Sequence, residues 1–217
     1  MRADLLKLLK GHDSLLPVDY DFKHLLSSWF NRGFLELRRI SWETPAFILE
    51  KLIQYEAVHE ITDWRDLQRR LASDRRCFAF FHPQLPNEPL IFVEVALTKG
   101  LVSNIDEVLR DPEPDEDEPQ TPDTAIFYSI NNCQKGLKGI SFGNFLIKQV
   151  ADELAEEIPS LKNFATLSPI PGFRPWLESA VETGMQNEFG HELHTARALL
   201  ENDLWWENAA ITVELEP

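Results

Sequence analysis

Between Ala125 and Phe173 the chain reads AIFYSINNCQKGLKGISFGNFLIKQVADELAEEIPSLKNFATLSPIPGF, and two groups in it could do chemistry: a glycine turn and a serine. Ala125–Ile130 has the composition of a buried strand, and Gly136, Gly139 and Gly143 bracket the start of a helix. That helix has Phe142, Phe145, Leu146, Val150 and Leu154 as its apolar positions. A strand that enters a glycine turn and then a helix gathers unpaired backbone N–H groups and the positive end of a helix dipole, which suits a phosphate or pyrophosphate. Lys135 and Lys138 add charge there. The spacing departs from GxGxxG and from the P-loop pattern, which argues against both, and glycines at such a turn also serve tight packing alone. Farther on, a strand over Leu161–Leu167 ends in Ser168-Pro169-Ile170-Pro171-Gly172-Phe173, so a hydroxyl leaves a strand beside a rigid two-proline turn. Ser168 is placed for function, although a serine before proline commonly only caps the turn, and no GxSxG elbow surrounds it.

Several elements must hold these residues. Leu5, Leu6, Leu8 and Leu9 predict a short helix that Gly11 stops, and Leu25, Leu26, Trp29 and Phe30 fall on one face of a second helix, ended by Asn31-Arg32-Gly33. A first strand is expected over Phe34–Ile40. Thr44 as cap and Pro45 at the first helical position start a helix that buries Ile48, Leu49, Leu52 and Ile53. After Thr62-Asp63 another helix aligns Trp64, Leu67 and Leu71, and the arginine pairs 69–70 and 75–76 are expected on a solvated face, with contact to an anion as the alternative. Cys77–Phe81 and Leu90–Leu97 are β-rich and joined by the proline-rich residues 82–89, which predicts an antiparallel pair with a turn or short loop between. Leu101–Leu109 suggests a short helix, and the acidic, proline-rich run Asp111–Pro119 a mobile surface loop rather than a divalent-ion site or a docking tail.

With 217 residues and 43% hydrophobic content, the chain can bury one large domain, or one domain and part of another. A net charge of −15 argues against nucleic acid or an anionic membrane as partner of the whole surface. Cys77 and Cys133 form neither a disulfide framework nor a metal-type spacing, so a reducing cytoplasm is the expected location. The first 17 residues are charged and lack an apolar run long enough for a signal peptide or a membrane span, and the final Leu-Glu-Pro matches no targeting signal.

Four stretches, 28–61, 75–101, 125–150 and 164–173, resemble, in order, the malonyl-CoA decarboxylase family. The resemblance implies an α/β (α+β) fold of the GNAT acyltransferase type: a mixed, largely antiparallel sheet flanked by helices and preceded by the end of an N-terminal helical domain. It implies a helical part over residues 1–73 and a catalytic part over 74–217. It also implies that Lys138, Gly139, Ile140, Ser141, Phe142, Gly143 and Asn144 cradle the CoA pyrophosphate, and that Ser168 is the active-site serine that meets the malonyl group. The implied reaction converts malonyl-CoA to acetyl-CoA and CO₂, with no metal and no cofactor beyond the CoA of the substrate, in a homo-oligomer, a tetramer in the family.

The family pairs this serine with a histidine in a motif resembling NPVANFHLxNGA, which is absent here. None of His12, His24, His59, His82, His191 and His194 replaces it convincingly: His59 is expected to favour a helix end and His191/His194 to be solvated. The chain is therefore expected to be an internal fragment, inactive or nearly so. The competing readings are an acyl-CoA-dependent N-acyltransferase on the same fold and a non-catalytic chain that associates with full-length subunits.

Overall fold

A computed structural model describes residues 1–30, 32–102, 104–110, 121–140, 143–182 and 190–200. The described residues fall into two compact units, Met1–Ser168 and Pro169–Pro217.

The first unit is built on a five-stranded sheet in the order β1-β2-β3-β4-β5: Glu36–Ile40, Arg75–His82, Leu85–Thr98, Thr124–Asn132 and Asn163–Thr166. Neighbours are antiparallel except β4 and β5, which run parallel. Helices cover both faces, so the central strands read as near-continuous apolar runs rather than as alternating ones. On one face Phe78, Phe80, Val93, Val95 and Phe127 pack with Leu146, Val150 and Leu154 of α6, Gly143–Glu157. On the other, Cys77, Ala79, Phe81 and Phe92 meet Ile48, Leu49 and Leu52 of a helix at Ala46–Tyr55 and Leu67 of another at Trp64–Arg70. With α1 at Arg2–Leu8 and α2 at Leu16–Trp29, these two are α3 and α4, and Ile105–Arg110 forms α5. The sheet is thus mixed, largely antiparallel and flanked by helices, as the resemblance implied.

Several local expectations are corrected. Helix α3 starts at Ala46 after Pro45 without a side-chain cap, because the Thr44 hydroxyl instead accepts from the Ser41 N–H (3.0 Å). Asp63 does cap α4, accepting from the N–H groups of Arg65 and Asp66. The connection expected over residues 82–89 is a turn, confined to 83–84; Pro86 and Pro89 lie inside β3, where the register with β2 slips and a missing donor is tolerated. The solvated arginine face does not exist at Arg70 and Arg75, each only 4% exposed. Arg70 donates to Glu94, to Asp66 and to the carbonyls of His59 and Glu60, and Arg75 to Asp74 and the Val108 carbonyl. The acidic run 111–119 lies outside the described residues.

The second unit contains α7, Phe173–Glu182, and α8, Gly190–Leu200. Leu177, Ala180 and Val181 of α7 are buried. His191 and His194 belong to α8.

Candidate acyl-CoA site

Strand β4 ends at Asn132, and residues 135–137 make one turn of 3₁₀ helix before the chain reaches Gly139. Gly139 has φ +78°, the left-handed region that side chains with a Cβ avoid. Lys138 and Gly139 are exposed, whereas Ile140 is buried in the core on the α6 side and its N–H donates to the Leu137 carbonyl (3.0 Å). Ser141 and Phe142 lie outside the described residues, and Gly143 and Asn144 are the first two residues of α6.

Two side chains fasten this turn from behind. Gln134 donates to Glu88 of β3 (2.8 Å), which also accepts from Tyr55 (2.6 Å) and Lys51. The hydrogen bond to Glu88, with burial, pushes the Tyr55 pKa up to about 12. Arg2 reaches in from α1 and donates to the carbonyls of Gly136 and Lys138. It is 4% exposed and paired with Asp19 of α2 (2.9 Å), which Lys23 also contacts (3.2 Å). Burial works to raise the Asp19 pKa, but Arg2 and then Lys23 outweigh it and hold the carboxyl below its usual value.

Ser168 sits where β5 leaves β4. Thr166 is the last β5 residue paired with β4, opposite Phe127, and the Leu167 N–H still donates to the Phe127 carbonyl (2.9 Å). Beyond that point β4 continues to Asn132 with β3 as its only strand partner among the described residues. Among the described residues, one edge of β4 therefore has no strand partner from beside Ser168, which is exposed, to the start of the glycine turn.

The open stretch begins with a β-bulge. Glu94 pairs with Ser129 and Val95 with Phe127, so Tyr128 is the extra residue on β4. The turn after α3 buttresses it, a feature the sequence reading missed. Glu56, 8% exposed, accepts from Ser129 Oγ (2.9 Å), Asn131 Nδ2 (2.7 Å) and the N–H groups of Val58 and His59 (2.8 Å each). The Ala57 N–H donates to Asn131 Oδ1 (3.0 Å), and the His59 ring lies beside that of Tyr128, with centroids 6.3 Å apart. His59 thus has a place on the sheet rather than a role at a helix end. Its Nε2 is buried without a hydrogen-bond partner among the described residues, and burial lowers its pKa. His82 packs edge-on against Phe30 (5.3 Å), and His12 bonds the Leu8 carbonyl.

Residues 33–217 match the family model of the malonyl-CoA decarboxylase C-terminal domain, and residues 1–30 that of the N-terminal domain. The chain belongs to the malonyl-CoA decarboxylase family. It is 44% identical over 174 residues to the mitochondrial malonyl-CoA decarboxylase of Anser anser anser, a match covering 80% of this chain and 34% of the relative. To that of Mus musculus it is 40% identical over 218 residues, covering 98% and 43%. The crystal structure of malonyl-CoA decarboxylase from Rhodopseudomonas palustris is similar at a TM-score of 0.86 and 50% identity, covering 99% of this chain and 52% of that one. The corresponding enzyme from Agrobacterium vitis gives 0.80 and 50%, covering 99% and 55%. The chain thus spans less than half the length of these curated relatives and about half that of the solved ones. Among the described residues, no helix is long and apolar enough to cross a membrane.

Proposed function

We propose that the protein binds malonyl-CoA and decarboxylates it to acetyl-CoA and CO₂, and that these residues carry the CoA-binding part of the site together with Ser168. The observation that carries this, within the family, is the open edge of β4 joining the glycine turn to Ser168. The five residues Tyr128–Asn132 span about 16 Å at a strand's rise per residue, comparable with an extended pantetheine arm, whose two amides suit pairing with an unpartnered strand edge. The pyrophosphate then lies at Lys138–Asn144, where a left-handed glycine and a helix start supply N–H donors, and Lys135 and Lys138 supply charge. The malonyl head lies at Ser168.

In the reaction the bond between the α-carbon and the carboxylate breaks, its electron pair moves into the thioester to give an enolate, CO₂ leaves, and a proton returns to the α-carbon. The thioester carbonyl itself takes up the charge, so the chemistry asks the site to orient the carboxylate out of the thioester plane and to stabilise the enolate oxygen. We assign the carboxylate contact, with a part in proton transfer, to the Ser168 hydroxyl. None of the six histidines stands in the family's histidine motif, so no proton donor is assigned to one of them. The two free, buried cysteines suit a reducing compartment such as the cytoplasm, and a homo-oligomer is the proposed assembly.

Calorimetric titration tests the assignment. The chain should bind CoA and malonyl-CoA, malonyl-CoA more tightly, and Ser168→Ala should remove that difference while leaving CoA affinity within about twofold. Failure to bind CoA would overturn the reading of the glycine turn, and an unchanged preference for malonyl-CoA in the variant would overturn the role of Ser168.

A further inference from the structure

Resting on that reading of the site, we propose that Glu56 is a positioning residue for the acyl-CoA arm: it fixes the open edge of β4 through Ser129 and Asn131 without touching the ligand. A bulge inserts a residue whose backbone groups leave the ladder, and a strand with a free edge beyond a bulge is held on one side only. Here the turn over residues 56–59 supplies the missing hold from the sheet face. It grips two positions of the relevant stretch by hydrogen bonds, Ser129 by Glu56, and Asn131 by both Glu56 and the Ala57 N–H. The side-chain partners on β4 lie more than 70 residues from this turn in sequence.

The donor and acceptor pattern is one-directional, which makes the proposal testable. Glu56 Oε1 accepts from two turn N–H groups and Oε2 from Asn131 Nδ2, so the carboxylate is an acceptor at both ends. In Glu56→Gln the amide oxygen can serve one end only. If it keeps the turn, the new NH₂ faces the Asn131 NH₂, and rotating Asn131 to resolve the clash costs the bond from Ala57. The second substitution Asn131→Asp restores complementarity: the amide introduced at position 56 then donates to a carboxylate that still accepts from Ala57. The surroundings stay acidic in both versions, because the single negative charge moves from position 56 to position 131.

The test compares CoA with adenosine 3′,5′-bisphosphate, which has the 3′-phosphoadenosine end of CoA with one of the two pyrophosphate phosphorus centres and no pantetheine arm. Glu56→Gln should weaken CoA about tenfold and leave the bisphosphate within about twofold, and Glu56→Gln/Asn131→Asp should recover most of the CoA affinity. A merely structural role would weaken both ligands together. Should Glu56→Gln fail to fold, Ser129→Ala, which removes one grip and leaves the carboxylate with its other donors, should show the same selective loss. Equal effects on the two ligands, or no effect on CoA, would overturn the proposal while the glycine-turn reading stands. A chain that binds neither ligand would overturn both.

Discussion

Arg70 and Glu94 show how much a single buried pair decides. Glu94 is 1% exposed, and Arg70 Nη1 donates to its Oε2 at 3.0 Å while Arg70 Nε holds Asp66. Burial pushes the Glu94 pKa up to about 7, against the attraction of Arg70. Truncating one member of such a pair strands the other charge, whereas replacing both by apolar groups can be neutral. Arg70→Ala should therefore cost about 3–5 kcal/mol of unfolding free energy at pH 8, and Arg70→Met/Glu94→Leu much less. The pH dependence gives a second check. For a carboxyl whose folded pKa is raised, the stability associated with the proton is present below the unfolded value near 4.5 and lost as pH rises through the folded value. Without Arg70 the folded value rises further, so the deficit of Arg70→Ala should shrink between pH 8 and 5.5 in urea titrations. A deficit constant with pH would mean that the arginine acts through packing alone. His59 works with the opposite sign: its folded pKa is lowered, so its contribution is present above about 6.5 and lost as pH falls. In the wild-type chain the two slopes oppose each other below neutrality.

At the level of elements, the glycine turn separates conformation from space. A Cβ at Gly139 would meet only the end of the Lys23 side chain, at 3.9 Å, so the obstacle is φ +78° and not crowding. At Gly136 a Cβ would sit in ordinary contact with the Ala3 backbone nitrogen at 3.6 Å, with no positive φ. Gly139→Ala should thus lose about 1–2 kcal/mol and weaken CoA, while Gly136→Ala stays close to wild type in thermal melts and titrations. Loss of equal size at both positions would mean that close approach, rather than backbone conformation, selects the glycines. This turn was legible in the sequence because strand, glycines and helix are contiguous and each signals locally. The strands over Cys77–Phe81 and Leu90–Leu97 were legible for the same reason. The buried arginines and the Glu56 turn were not. Adjacent arginines after a short helix look like an outer face until Glu94, 24 residues on, is folded beneath Arg70, and no local pattern announces a bulge at Tyr128. Thr44 misleads in the other direction: its hydroxyl suits a helix cap in the sequence and is engaged one turn earlier, by Ser41.

Across the whole molecule, the N-terminal helices and the glycine turn belong to segments matched by two different family models, yet Arg2 joins them. Its guanidinium binds the carbonyls of Gly136 and Lys138 and the Asp19 carboxylate at once, a task for a planar group with several fixed donors. In a chain of net charge −15, the proposed anionic ligand binds against the overall field, so the direction of the turn's carbonyls matters. Freed from Arg2, the Gly136 and Lys138 carbonyls lose what fixes their direction, and the cradle loses preorganisation as well as a buried ion pair. Arg2→Ala should cost about 3 kcal/mol of stability, less than a fully orphaned carboxylate would because Lys23 stays on Asp19. It should also weaken CoA and adenosine 3′,5′-bisphosphate alike, since under the proposed function both place phosphate at the turn. Arg2→Lys keeps the charge but cannot serve three acceptors in their present directions, so it should recover stability better than affinity. If Arg2→Ala lowers the melting temperature and leaves both affinities unchanged, α1 is a packing element, and the turn is set by Gln134, Glu88 and Gly139 without it.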